Sequence, residues 1–109
     1  MSDRPIKTFF RWVLLGTRGG PTRLLILLKL RDSPANANQL AKALRLNYKT
    51  ILHHLEFLME NNLVEAEEGK YDVKYRLSQV VSENMDTLDS VVNEVLGSSK
   101  ARVSWARSG

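Results

Sequence analysis

At 109 residues the chain is long enough for about one domain with a modest core, and its 43% hydrophobic and 26% charged content is ordinary for a soluble globular protein. With no cysteine it can hold no disulfide framework, cysteine-ligated zinc, thiolate nucleophile or iron–sulfur cluster. The formal net charge of +4 favours polyanions such as DNA, RNA or an acidic membrane surface without choosing among them.

The charge is unevenly spread. Residues 1–33 carry a net +5, residues 81–97 a net −4 and residues 98–109 a net +3. The apolar run Leu24–Leu28 is far too short to span a bilayer, and no secretory signal is recognisable, so a cytoplasmic protein is expected.

Residues 5–16 place Ile6, Phe9, Phe10, Val13 and Leu14 at helical spacing, with Lys7 and Arg11 on the other side. A basic, aromatic helix of this kind can lie on a membrane surface, but packing on the domain or on a second subunit is the expected use. Gly19-Gly20 makes a turn, and Pro21 suits the start of the next helix, where its missing N–H is no loss. The glycine pair lacks the spacing and the Lys-Ser/Thr of a phosphate loop. Residues 21–31 form an almost wholly apolar helix, expected at the centre of the core and ended by Pro34.

Asn36 and Gln39 have the spacing of a capping box, followed by the stripe Leu40, Ala41 and Leu44. Arg45-Leu46 makes a tight turn, and Asn47 caps a second helix that runs to about Asn61. Val64–Glu67 and Tyr71–Leu77 read as two strands, the second alternating with a period of two, joined by a turn at Glu68-Gly69-Lys70. A final helix is expected from Gln79 to Leu96, ending at Gly97. Residues 98–109 are small, basic and unpatterned, and are expected to form a mobile tail. The expected organisation is a single domain over 1–97: an N-terminal helix and turn (1–20), a core (21–77) and a C-terminal helix (78–97).

Two helices joined by a tight turn and followed by a ribbon is how a small protein offers one helix to the major groove of DNA. At about 100° per residue, Ile51, Leu55, Leu58 and Asn62 share the core face of the second helix, with Tyr48, Met59 and His54 on its flanks. Lys49, His53, Glu56 and Glu60 lie opposite, with Thr50 and Leu52 at the shoulders. Phosphates are repelled by the two carboxylates and accepted near the helix N-terminus. Lys49 can donate to guanine, Thr50 to a base or phosphate, and Leu52 can rest on a thymine methyl, while Asn47 and Tyr48 can bond the backbone. Lys70 at the ribbon tip and Lys74 beside it are candidate phosphate contacts, in a ribbon that is nearly neutral because of Glu65, Glu67, Glu68 and Asp72.

His53 and His54 are adjacent and point about 100° apart, so they cannot grip one ion. His54 is expected to be half-buried with a hydrogen-bonded ring. No serine or threonine sits in a recognisable nucleophile turn, so no catalytic residue, metal or cofactor is expected.

Residues 22–77 resemble the arsenic-repressor-like (ArsR-type) regulators, especially the small archaeal ones. The similarity lies in NANQLAKALRLNYKTILHHLEFLMENNLVEAE and GKYDVKYRL, above all His54-Leu55, Leu58 and Asn62-Leu63-Val64, and in GTRGGPTR at 16–23. The resemblance implies a mostly α fold with a small β-hairpin: a winged helix-turn-helix with additional N- and C-terminal helices. It implies that positions Tyr48, Lys49, Leu52 and His53 meet double-stranded DNA and that the wing tip at Lys70 touches its backbone. Leu52 departs from the family pattern, where a polar residue is usual. Metal-sensing members use cysteines or a His/Asp set, and a chain without cysteine and with only two adjacent histidines does not supply either.

Val81, Met85, Leu88, Val92 and Val95 recur at spacings of four and three, a heptad seam. Pairing with the basic N-terminal helix and with a second copy is expected, giving a homodimer with Phe9 and Val13 also at the interface; the resemblance implies the same terminal-helix dimer. Two reading helices would then stand about 34 Å apart on a near-palindromic site. A winged helix that docks on another protein of the transcription machinery is the alternative.

Overall fold

The computed structural model describes residues 4–68 and 72–96. In chain order these form α1 (Arg4–Leu15), α2 (Gly20–Asp32), β1 (Ala35–Asn36), α3 (Ala37–Leu44), α4 (Tyr48–Glu60), β2 (Val64–Glu68), β3 (Val73–Leu77), α5 (Gln79–Ser82) and α6 (Met85–Leu96). Helix α1 packs on both α2 and α6, α2 sits centrally against β3, α3 and α4, and α3 and α4 pack against each other. The mobile tail expected at 98–109 and the hairpin tip with Lys70 lie outside the described residues.

Amphipathic spacing decides what each helix buries. Phe10, Val13 and Leu14 of α1 are buried while Arg11 and Trp12 face outward. In α2 the buried residues are Arg23, Leu24, Ile26, Leu27 and Leu30, but Leu25 is 48% exposed. This helix is therefore less enclosed than its composition suggests. The core continues through Leu40, Ile51, Leu55, Leu58, Leu63, Val81, Leu88, Val91 and Val92.

The sheet has three antiparallel strands in the order β1-β3-β2, not the two of a simple ribbon. Ala35 pairs with Tyr75 and Asn36 with Lys74, so the residues entering α3 are stitched to the middle of the hairpin's second strand. The Asn36 side-chain amide also donates to Asp72 at 3.0 Å. The second hairpin strand starts at Val73, two residues later than the alternation suggests.

The expected single C-terminal helix is broken at Glu83-Asn84. The Asn84 side chain donates back to the Val80 carbonyl at 2.7 Å, and Ser78 caps α5 through Val81 N–H. Asparagine competes with the helix ladder in this way, which closes one helix before the next begins. The heptad seam needs a further correction. Val81, Leu88 and Val92, with Val13 of α1, are all 0% exposed within the single chain. Their apolar faces are used up in their own domain and are not on offer to a second copy. Phe9 and Met85 are only partly buried, and the Val95 side chain lies outside those described.

The charge asymmetry between the ends is used inside the chain. Glu94 of α6 accepts two hydrogen bonds from Arg11, at 2.9 and 2.8 Å, and meets Lys7 at 3.3 Å. Arg31 of α2 binds Asp89 through two bonds at 2.9 and 3.2 Å. The Arg11 and Lys7 contacts hold the Glu94 carboxyl down at about 2. Exposed pairs of this kind steer α6 onto α1 and α2 more than they add stability.

Candidate nucleic-acid interface

The helix pair is set by its caps. Asn36 and Gln39 form the expected capping box, each side chain accepting from the other's backbone N–H at 2.8 Å. Arg45 then takes a left-handed φ of 58°, and Leu46 N–H closes onto the Ala41 carbonyl at 3.0 Å. Asn47 starts α4 by accepting from Lys49 N–H at 2.7 Å. Asn62, with φ of 60°, ends the helix region and is exposed; it does not share the core face as the helical projection suggests.

Ile51, Leu55 and Leu58 are fully buried, and this anchors the inner face of α4. The opposite face is presented to solvent. Asn47, Tyr48, Lys49, Thr50 and His53 are exposed and Leu52 is half-buried. Lys49, Leu52 and His53 share a depression of about 410 Å³ with Glu56, Met59 and Tyr75. Tyr48, 46% exposed, lies apart in a second depression of about 360 Å³ with Asn36, Asn38 and Asp72. Lys74 is exposed but alternates with Tyr75, so it sits on the other face of the sheet. On the hairpin, Arg76 is tied to Glu65 at 3.0 Å and to Glu67 at 3.3 Å, and the described part of the wing carries four carboxylates against Lys74 and Arg76, a net −2.

Sequence reasoning missed what supports α4 from beneath. Arg23 of α2 is only 7% exposed and has no carboxylate partner among the described residues. Its guanidinium lies 3.6 Å from the centre of the Phe57 ring, and one of its nitrogens donates to Thr17 Oγ1 at 2.7 Å. Thr17 in turn donates to the Val13 carbonyl at 2.7 Å. A cation over an aromatic face in a desolvated site is worth about 2 kcal/mol, so this contact ties α4 to α2. The available signal was the spacing: Arg23 stands four and seven residues before Leu27 and Leu30, on the inward stripe.

His54 packs beside this arginine. It is 9% exposed, and its Nδ1 has no hydrogen-bond partner among the described residues, contrary to the hydrogen-bonded ring expected from the sequence. Burial, then the Arg23 charge, then His53, push its pKa below the ordinary value of 6.5. A depressed histidine binds its proton more readily in the unfolded chain. Its contribution to stability is therefore present above about pH 6.5 and is lost as the pH falls below that value. Thermal melts from pH 7.5 down to pH 5 are expected to show this loss, and His54→Phe should remove most of it. An unchanged slope in the variant would contradict the assignment.

The arrangement defines a fold: a winged helix-turn-helix whose second helix turns a polar face outward to solvent. Residues 20–66 match the family model described as bacterial regulatory protein, arsR family. The match spans 47 of the 109 residues, and over that segment the chain is similar to this family. No curated protein matches it closely enough to count as a relative. Among solved structures it is similar to the transcriptional repressor BigR from Xylella fastidiosa, with 21% identity, coverage of 93% of this chain and 94% of that one, and a TM-score of 0.61. It is also similar to a homodimeric winged helix-turn-helix DNA-binding domain from Mycobacterium bovis, described as a possible ArsR-family regulator, with 24% identity, 86% and 88% coverage and a TM-score of 0.63. The third is a predicted DNA-binding transcriptional regulator from E. coli, with 22% identity, 82% and 92% coverage and a TM-score of 0.64. No helix among the described residues is long and apolar enough to cross a membrane.

Proposed function

We propose that the chain is a cytoplasmic, non-catalytic regulator that acts as a homodimer and reads a specific, near-palindromic duplex through the opening turns of α4. The observation that carries this reading is the exposure of Lys49, Thr50 and His53 directly above the buried Ile51, Leu55 and Leu58. In this reading Lys49 and His53 meet base edges and Leu52 meets a thymine methyl or sugar. Asn47, Tyr48 and Thr50, with Lys70 on the wing, hold backbone phosphates and set the register, while Lys74 faces away from α4 and is left out of this contact.

The dimer is supported by the homodimeric state of the Mycobacterium bovis domain. It is also supported by α1, where Trp12 and Leu15 are each 48% exposed beside the partly buried Phe9. Since Val13, Val81, Leu88 and Val92 are enclosed, the contact would use the outer edges of α1 and α6 together with Met85.

Selection of bound sequences from a random duplex pool, at a stated salt concentration, tests the reading. An inverted repeat with half-sites about 10 base pairs apart is expected, with affinity falling steeply as salt rises. A pool that yields no preferred sequence would overturn it.

A further inference from the structure

Tyr75 of β3 is only 8% exposed. Its hydroxyl has no hydrogen-bond partner among the described residues and is open to solvent rather than sealed in the core. Tyr75 lines both depressions beside α4, the one with Lys49 and His53 and the one with Tyr48 and Asp72. The unused donor therefore lies at the floor of the cleft between the outward face of α4 and the sheet.

The surroundings of that cleft suit one kind of ligand. Lys49 and His53 are donors on one rim, and Leu52 and Met59 supply an apolar wall. Glu56 stands one turn beyond His53 and repels anions from the C-terminal end, which confines a negative group to the end nearer Lys49. On the sheet side, Asp72 is held by Asn36 at 3.0 Å. A cationic donor and a neutral donor beside an apolar wall match a phosphate with its attached sugar, the repeating unit of a DNA strand.

We propose that the Tyr75 hydroxyl donates to one backbone phosphate of the bound duplex, with Lys49 beside it and the deoxyribose resting on Leu52 and Met59. This rests on the reading that α4 faces DNA, and it adds a contact that the sequence pattern assigned to the interior. Burial and the neighbouring Tyr48 both raise the phenol pKa, so the group is a neutral donor at any physiological pH.

The test compares wild type and Tyr75→Phe on the selected duplex and on a scrambled one. The substitution removes a single oxygen and keeps the buried ring. Because a phosphate contact carries no sequence information, affinity should fall roughly tenfold on both duplexes alike. A neutral donor displaces no counterion, so the salt dependence should stay unchanged. Phosphate-ethylation interference should lose one sensitive position per half-site, with no change in melting temperature. Wild-type affinity with an unaltered interference pattern would overturn the proposal, as would a loss of affinity matched by a lowered melting temperature. If wild type itself binds neither duplex, the reading of α4 falls and this contact with it.

Discussion

Replacing Lys49 and His53 together by alanine is expected to weaken binding to the selected duplex by about 30-fold to beyond 10,000-fold. Each lost base contact costs roughly 1–3 kcal/mol, and 1.4 kcal/mol is a factor of ten. Fold stability should hardly change, because both side chains are exposed on the helix face opposite Ile51, Leu55 and Leu58. Surface substitutions of that kind stay within about 0.5 kcal/mol. The salt dependence should also become shallower, since one cation that displaces counterions is gone. Titrations at two salt concentrations, with a thermal melt of the same samples, read all three effects. A double variant that binds and melts like wild type would remove Lys49 and His53 from the interface.

Among the described glycines, Gly20→Ala is expected to be the most damaging substitution. No described glycine has a positive φ, so backbone conformation does not require glycine here. The requirement comes from a close approach. A Cβ at Gly20 would fall 2.6 Å from the Leu14 carbonyl carbon and 3.1 Å from its Cα, both backbone atoms at the end of α1. Backbone cannot rotate aside as a side chain can, so α1 and α2 would have to separate, opening the packing around Phe10, Val13 and Leu24. The expected loss is about 3 kcal/mol or more, a large part of the roughly 5–15 kcal/mol that holds a domain of this size folded. That corresponds to a fall of roughly 12–24 °C in melting temperature. Gly19→Ala is a useful contrast. Its Cβ would meet the His54 ring at 2.7 Å and the Arg23 guanidinium at 3.1 Å, which are side-chain groups able to shift. Urea titration of both variants should rank Gly20→Ala well below Gly19→Ala. Equal stabilities would contradict the close approach of α1 and α2.

The parts of this molecule that were legible in the sequence are those set by local chemistry. Asn36 with Gln39, and Asn47 ahead of Lys49, have the spacing of caps and act as caps. The inner face of α4 followed from an angular projection, because Ile51, Leu55 and Leu58 recur at helical spacing and only one side of that helix is apolar. Strand β1 was not legible. Two residues, Ala35 and Asn36, show no alternation, and their pairing with Tyr75 and Lys74 depends on where the hairpin lies. The break between α5 and α6 depends on one side chain, Asn84, turning back to a carbonyl.

The C-terminal seam illustrates a different limit. Spacings of four and three identify a face that must be buried, but they do not say against what. Val81, Leu88 and Val92 are buried in their own domain, and the same pattern would serve a coiled coil between copies. The support under α4 was hidden for a related reason. A cation stacked on Phe57 beside an unpartnered histidine leaves no periodic trace, and Arg23 reads as a solvated residue unless the inward stripe is followed through it. Tyr75 shows the reverse case. Its alternation correctly predicted a buried ring and gave no hint of the free hydroxyl at its end.

If the first turns of α4 are the surface offered to DNA, as proposed, amide-shift mapping on titration with the selected duplex will show it. The largest perturbations are expected at Asn47, Lys49, Thr50 and His53, with smaller ones along β3. Perturbations confined to α1 and α6, with the α4 amides unmoved at saturation, would contradict it.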